Sequence, residues 1–429
     1  MAKHEELLQR HHRVLPDWMA LYYEQPIALE RGEGRRVWDA EGNSYLDLFG
    51  GIVTTISGHG VPEIVDAVKQ QADKLLHTST LYLIESQVEL AEKIAGLSPI
   101  ENAKVFFTTS GTEANDAALL MASTFRQSNQ ILALRNSYHG RSFSAMSVTG
   151  NRSWSASSLS PFWVSYVQGG YKLRSPFGHL PDDEFIKACA RDLKDVLEMT
   201  TAGDVACMIA EPIQGVGGFA TPPDGFFKPM KELLDESGIL FVSDEVQTGW
   251  GRTGDTFWGI EAHDVTPDLV TFAKGVGNGL SIAGVIARAE IVDSIKANSI
   301  STFGGNPLAT AGALANLDYV LEHDLQTNAK KVGEHFIGAL RETTAGITAV
   351  AEVRGKGLMI GIELVHRDTG DPDPDAASRL MEETKRRGVL VGKGGLFGNV
   401  IRMSPPMTLT LEEADEGHAA IAESLEILS

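Results

Sequence analysis

Ile239-Leu240-Phe241-Val242-Ser243-Asp244-Glu245-Val246-Gln247, followed thirty residues on by Leu269-Val270-Thr271-Phe272-Ala273-Lys274-Gly275, is the stretch from which the fold can be read. Each half is a short apolar run that ends on a charged side chain. Runs of the same kind recur at Val105-Phe106-Phe107-Thr108, Ile131-Leu132-Ala133-Leu134 and Cys207-Met208-Ile209-Ala210, between about residues 60 and 310. Strands this uniformly apolar, spaced by helix-length connections, predict an α/β fold whose mainly parallel sheet is covered on both faces. Such a sheet binds its ligand beyond the carboxyl ends of the strands. Asp244 and Lys274 fall there. A carboxylate buried at that place needs a cationic partner, and a structural Arg or Lys or a protonated heterocyclic nitrogen would serve. A lysine in apolar surroundings can have its pKa lowered enough to form an imine, or can simply pair with Asp244.

Outward from this sheet, apolar residues at helical spacing run from about Leu308 to Leu340 and lead into a carboxy-terminal α+β unit. Its strands are expected at Leu358-Met359-Ile360-Gly361-Ile362, Gly388-Val389-Leu390-Val391 and Val400-Ile401-Arg402-Met403. Val37-Trp38-Asp39 and Tyr45-Leu46-Asp47-Leu48 read as strands around the turn Glu41-Gly42-Asn43. The expected organisation is an amino-terminal segment, 1–59, joining a small domain 311–429, with a large domain at 60–310. The stretch from about 151 to 182, rich in Ser, Gly, Pro and Trp, shows no period and reads as a surface excursion.

Composition narrows the functions. The chain has 429 residues, 43% hydrophobic and 22% charged, which is globular composition without a membrane-spanning run. Its 37 basic and 57 acidic side chains give a net charge of −20, a field that repels nucleic-acid backbones. Two cysteines, Cys189 and Cys207, form neither a CxxC pair nor a Cys/His cluster, so a disulfide framework and a zinc site lack support. The amino terminus is acidic and polar, and a cytoplasmic location is expected. Gly275-Val276-Gly277-Asn278-Gly279 falls one residue short of GxGxxG, and GxxxxGK[ST], HExxH, GxSxG and EF-hand patterns are missing.

Polar residues cluster at the strand ends instead. Ser110-Gly111-Thr112-Glu113-Ala114-Asn115 follows a strand and opens a helix, where amides, a hydroxyl and the helix dipole can hold a phosphate. It can also be an ordinary Ser cap with Glu in the first turn.

Taken in order, Ser110-Gly111-Thr112-Glu113-Ala114, Tyr138-His139-Gly140-Arg141, Glu211-Pro212-Ile213-Gln214-Gly215, Asp244-Glu245-Val246-Gln247-Thr248-Gly249, Ala273-Lys274-Gly275 and Thr302-Phe303-Gly304-Gly305-Asn306-Pro307 resemble the class III aminotransferases, pyridoxal-phosphate enzymes of fold type I. The similarity runs from about Pro26 to the carboxyl terminus. Gly51-Ile52-Val53-Thr54, His77-Thr78-Ser79-Thr80, Phe257-Trp258-Gly259, Val353-Arg354-Gly355-Lys356-Gly357-Leu358-Met359-Ile360-Gly361 and Leu390-Val391-Gly392-Lys393-Gly394 resemble the alanine–glyoxylate aminotransferase 2 branch, which includes enzymes acting on 3-aminoisobutyrate and β-alanine. Arg141 departs from that branch and looks like 4-aminobutyrate aminotransferases.

The resemblance implies roles. Lys274 would be the imine-forming, proton-shuttling lysine, and Asp244 would pair with the pyridinium nitrogen of pyridoxal 5′-phosphate. Ser110, Gly111 and Thr112 would hold the phosphate, joined by Thr302 from the other subunit of a homodimer. Tyr138 would stack on the ring beside His139, and Gln247 would meet the phenolic oxygen. Arg402 would clamp a keto acid's carboxylate, with Glu211 as the partner that neutralises it when the amino donor lacks an α-carboxylate. Arg141, Ile52 and Val53 would shape the donor end, while Trp18, Tyr22 and Tyr23 line the entrance or simply pack. The expected reaction is ping-pong transfer of an amino group from a β- or ω-amino acid or alanine to pyruvate, glyoxylate or 2-oxoglutarate, by dimers that pair or do not pair into tetramers. Decarboxylating transamination, amine migration, phospho-lyase chemistry and a non-catalytic cofactor- or amine-binding protein are the alternatives.

Overall fold

The computed structural model describes residues 3–19 and 21–428. Its largest sheet has seven strands in the spatial order Ala103–Thr108, Ala283–Arg288, Leu269–Phe272, Leu240–Asp244, Cys207–Ala210, Gln130–Leu134, Trp163–Val167. All run parallel except Ala283–Arg288, which is antiparallel to both neighbours.

Alternation across the pleat explains why these runs carry no polar face. Ile131, Ala133, Cys207, Ile209, Leu240 and Val242 point to one side, against Ala114, Ala118, Leu119 and Ala122 of helix Gly111–Arg126. Leu132, Leu134, Met208, Ala210 and Phe241 point to the other, against Phe185, Cys189 and Leu193 of helix Asp182–Thr200 and Met230 and Leu234 of helix Lys228–Glu236. Both faces are dry, so the strands read as unbroken apolar sequence.

Two four-stranded sheets complete the molecule. One is antiparallel, in the order Val350–Lys356, Met359–Leu364, Val400–Met403, Gly392–Gly394. The other joins Leu29–Glu33, Arg36–Asp39 and Ser44–Asp47 to Val389–Leu390, with Leu46 opposite Val389.

Two features differ from the sequence reading. The 151–182 excursion contains the edge strand Trp163–Val167, whose β-branched and aromatic residues were masked by flanking Ser, Pro and Gly. The helical stretch near 308–340 is two helices, Pro307–Glu322 and Leu325–Thr344. Asp324 breaks them apart with φ 48° and accepts the Thr327 amide as the second helix begins. Among the described residues no helix is long and apolar enough to cross a membrane.

His263 is buried at the end of a short 3-10 turn, edge-on to Phe227 at 5.0 Å, with Nδ1 lacking any partner. Burial pushes its pKa down to about 4. Between that value and its unfolded value the unfolded chain binds a proton the folded chain refuses, so stability falls as pH drops below about 6.5. His263→Gln should therefore lose about 2 kcal/mol less than the parent between pH 7 and pH 5. Urea unfolding at the two pH values measures this, and equal losses in both proteins would exclude His263 as the cause.

Candidate functional site

The carboxyl ends of the parallel strands converge on one cavity, lined by Ser110, Gly111, Thr112, Asn115, Tyr138, His139, Gly140, Glu211, Asp244, Val246, Gln247 and Lys274. Each side chain arrives because its strand has just ended.

The first wall is the start of helix Gly111–Arg126. The Ser110 hydroxyl accepts the Glu113 amide at 3.2 Å, so the ordinary capping role is realised. The Gly111 and Thr112 amides, orphaned at the helix start, remain for a ligand, in the positive end of the dipole. Gly140, at φ 140°, packs so close that an added Cβ would lie 2.6 Å from Thr112 Oγ1.

Across the cavity Asp244 is buried, and its oxygens are committed. Oδ2 accepts from Asn115 Nδ2 at 2.8 Å and from His139 Nδ1 at 2.7 Å, and Oδ1 accepts the Val246 amide at 3.1 Å. The Asn115 amide also reaches the His139 carbonyl, and its Oδ1 accepts from Thr271. Sequence reasoning assigns no role to Asn115 of the helix-opening motif. Its signal was there: a polar residue on the helix face otherwise made of Ala114, Ala118, Leu119 and Ala122.

Lys274 follows the next strand with a left-handed φ of 48°, a strained conformation for a side-chain-bearing residue. Its Nζ has no hydrogen-bond or ion-pair partner among the described residues. Desolvation pushes its pKa down, against the pull of Asp244 and Glu211. An unpartnered amine of lowered pKa is a nucleophile. The buried Gln247 Oε1 also lacks a partner, as does His139 Nε2. Free amides at one end, a carboxylate at the other and an unpartnered amine in the wall are the donor set that pyridoxal phosphate requires, and the residues present fit that cofactor.

Not every expected residue lines this cavity. Tyr138 does, half-buried and edge-on to Trp154 at 5.3 Å. Thr302 is exposed outside the cavity of its own chain, beside exposed Ile300 and Phe303. Arg141 is also exposed, its guanidinium 5.8 Å from the Trp18 ring. Gly50, Gly51, Ile52 and Val53 form a run of positive φ, fastened by Asp47 Oδ1 to the Phe49 and Gly50 amides. That run leaves Ile52 exposed and buries Val53 against Ile213, Phe219 and Met359. Trp18 is exposed, whereas the Tyr22 and Tyr23 hydroxyls donate to the Lys393 and Val391 carbonyls.

With no substrate bound, Glu211 and Arg402 make no direct hydrogen bond or ion pair. Glu211 accepts the Tyr138 amide at 2.9 Å and the Gly215 amide at 2.8 Å, while Arg402 Nη1 donates to the Gly215 carbonyl at 2.9 Å. One peptide unit stands between them. Burial pushes the Glu211 carboxyl up to about 7, opposite to the effect of a guanidinium partner.

Known proteins resemble this chain over nearly its whole length. The class-III aminotransferase family matches residues 19–425. Alanine–glyoxylate aminotransferase 2 homolog 2 (mitochondrial) of Arabidopsis thaliana is 38% identical, over 95% of this chain and 85% of that protein. An alanine/serine racemase of Pyrococcus horikoshii is 36% identical over 98% of this chain and 90% of its own length. Among solved structures, an amine transaminase from an uncultivated Pseudomonas species in its PLP-bound form superposes with a TM-score of 0.91 at 31% identity, covering 97% of this chain and 99% of that one. The chain is a class-III aminotransferase of fold type I, and its cofactor is pyridoxal 5′-phosphate.

Proposed function

We propose that the protein transfers an amino group from a β- or ω-amino acid or alanine to a keto acid such as pyruvate, glyoxylate or 2-oxoglutarate, in two half-reactions of a ping-pong cycle. The observation that carries this reading is the placing of Lys274 and Asp244 on adjacent strand ends in one cavity.

When bound, the cofactor supplies a ring that accepts the electron pair left as a substrate C–H bond breaks. The chain's own residues do the rest. Gly111 and Thr112 hold the phosphate at the helix start, helped by Ser110. Asp244, held by Asn115 and His139, would hold the ring nitrogen's proton, and Tyr138 and Gln247 would orient the ring. Lys274 Nζ would take up the proton lost by the substrate carbon and give it back as the amino group moves. Arg402 binds the keto acid's carboxylate, with Ile52, Val53 and Arg141 around the donor end.

Thr302 completes the phosphate site from a second subunit in this reading, and the active unit is a homodimer. The support is a set of exposed apolar side chains on two neighbouring segments: Phe303, next to Thr302, at 61% exposure, and Leu81, Tyr82 and Leu83 at 75%, 70% and 98%, following Thr80, which lines a cavity with Ile300, Ser301 and Gly304. The division into 1–59, 60–310 and 311–429 and a cytoplasmic location belong to the same proposal, the latter resting on two buried, free cysteines.

Lys274→Ala should slow the half-reaction with any amine at least about 1000-fold and remove the visible band that the lysine–cofactor link produces. A variant keeping both band and rate would overturn the assignment. Thr302→Ala should weaken cofactor affinity about tenfold in an absorbance titration while the protein sediments as a dimer. Unchanged affinity, or a monomer that binds cofactor tightly, would remove the shared site.

A further inference from the structure

Arg354 and Arg402 stand in one row across the carboxy-terminal sheet. Arg354 pairs with Gly361 on the next strand, and Gly361 pairs with Arg402 on the one after. Directly paired residues send their side chains to the same face, so the two guanidinium groups leave one side of the sheet from backbones about 10 Å apart. Both reach the turn 215–219. Gly361 between them gives that turn room, since a Cβ there would lie 2.9 Å from the Gly218 carbonyl oxygen.

The two arginines act on opposite sides of a single peptide link. Arg354 Nε and Nη2 both donate to the Gly218 carbonyl, at 3.0 and 2.9 Å. The amide of that same peptide, on Phe219, donates to the Gly215 carbonyl at 3.3 Å, and the Gly215 carbonyl also accepts Arg402 Nη1 at 2.9 Å. The Phe219 ring then lies 5.3 Å from the Arg402 guanidinium. Their charges are met differently. Arg354 Nη1 donates at 2.7 Å to both Glu363 and Glu352, and the fully buried Glu363 also accepts from Tyr171 at 2.6 Å. Arg402 pairs directly with no carboxylate among the described residues, while Glu211 attracts it and Lys274 repels it through space. Arg354 is locked, and Arg402 is left for a ligand.

Resting on the carboxylate-binding role given to Arg402 above, we propose that Arg354 is a positioning residue: it fixes the Gly218–Phe219 peptide, and with it the Gly215 carbonyl and the Phe219 ring against which the Arg402 guanidinium is seated. The role requires a fork. Two N–H groups fix the direction of a carbonyl, whereas an ammonium holds it as a point charge and lets it swing. Arg354 lies outside the cavity that Lys274 lines, so its loss acts on the carboxylate end of the site and spares the lysine and the phosphate end.

Arg354→Lys in the cofactor-loaded protein tests this, because it keeps a cation for Glu363 and removes the fork. Hydrogen exchange across 211–220 should quicken at least about tenfold, while helix Gly111–Arg126 exchanges as in the parent. KM for pyruvate should rise at least about tenfold with kcat within about threefold, and KM for acetaldehyde, which is pyruvate without its carboxylate, should stay within about twofold. Arg354→Met combined with Glu363→Gln removes the ion pair as a unit, should give the same split, and serves if the lysine variant does not fold. Unchanged exchange across 211–220, or equal losses for pyruvate and acetaldehyde, would leave Arg354 a merely structural part and overturn the inference. Should the parent convert none of pyruvate, glyoxylate and 2-oxoglutarate, the transferase reading fails. Exchange across 211–220 and calorimetric affinity for propionate, expected to fall at least about tenfold in both variants, then still decide the role of Arg354.

Discussion

Asp244 places a carboxylate in the dry interior at the end of a central strand, and the site is built around keeping it there. Its donors come from a helix through Asn115, from the loop after a second strand through His139 and from its own following turn through Val246. Thr271, on the adjacent strand, orients Asn115 in turn. The helix that supplies Asn115 also supplies the free amides at Gly111 and Thr112. Four residues of α-helix rise about 6 Å, so the anion-binding end and the carboxylate end are spaced by one rigid element rather than by loops.

Two further carboxylates are buried nearby, and both are pushed up to about 7 by desolvation. They serve different ends. Glu245 accepts from Ser243, Thr248 and the Gly259 and Ile260 amides, which shapes the turn that presents Gln247. Glu211 ties the Tyr138 and Gly215 amides together, joining the ring-facing loop to the loop beneath Arg402. The acidic groups here are taken up by backbone amides and neighbouring polar side chains, leaving Lys274 without a direct partner.

The parallel strands were legible because their burial on both faces removes polar residues from the run, and the site was legible because Asp244, Glu211 and Lys274 interrupt those runs at their ends. Trp163–Val167 was not, since an edge strand is partly exposed and its neighbours look like loop. The break at Asp324 was hidden because a single left-handed residue leaves the apolar spacing on either side intact. At the site, the family resemblance brought Arg402 and Glu211 together but carried no sign of the Gly215 peptide between them. That arrangement depends on where a loop's amides point, and a backbone direction leaves no trace in side-chain types.

The pairing of Leu46 with Val389 spans 343 residues (389 − 46). Closing so wide a loop costs entropy that only late, long-range contacts return. During synthesis the strand Ser44–Asp47, and the Gly50–Val53 turn that follows it, wait without their edge partner until Val389 and Leu390 have emerged. That segment is thus exposed to aggregation while the intervening residues are made, and loss of Val389 and Leu390 would leave it without its edge partner.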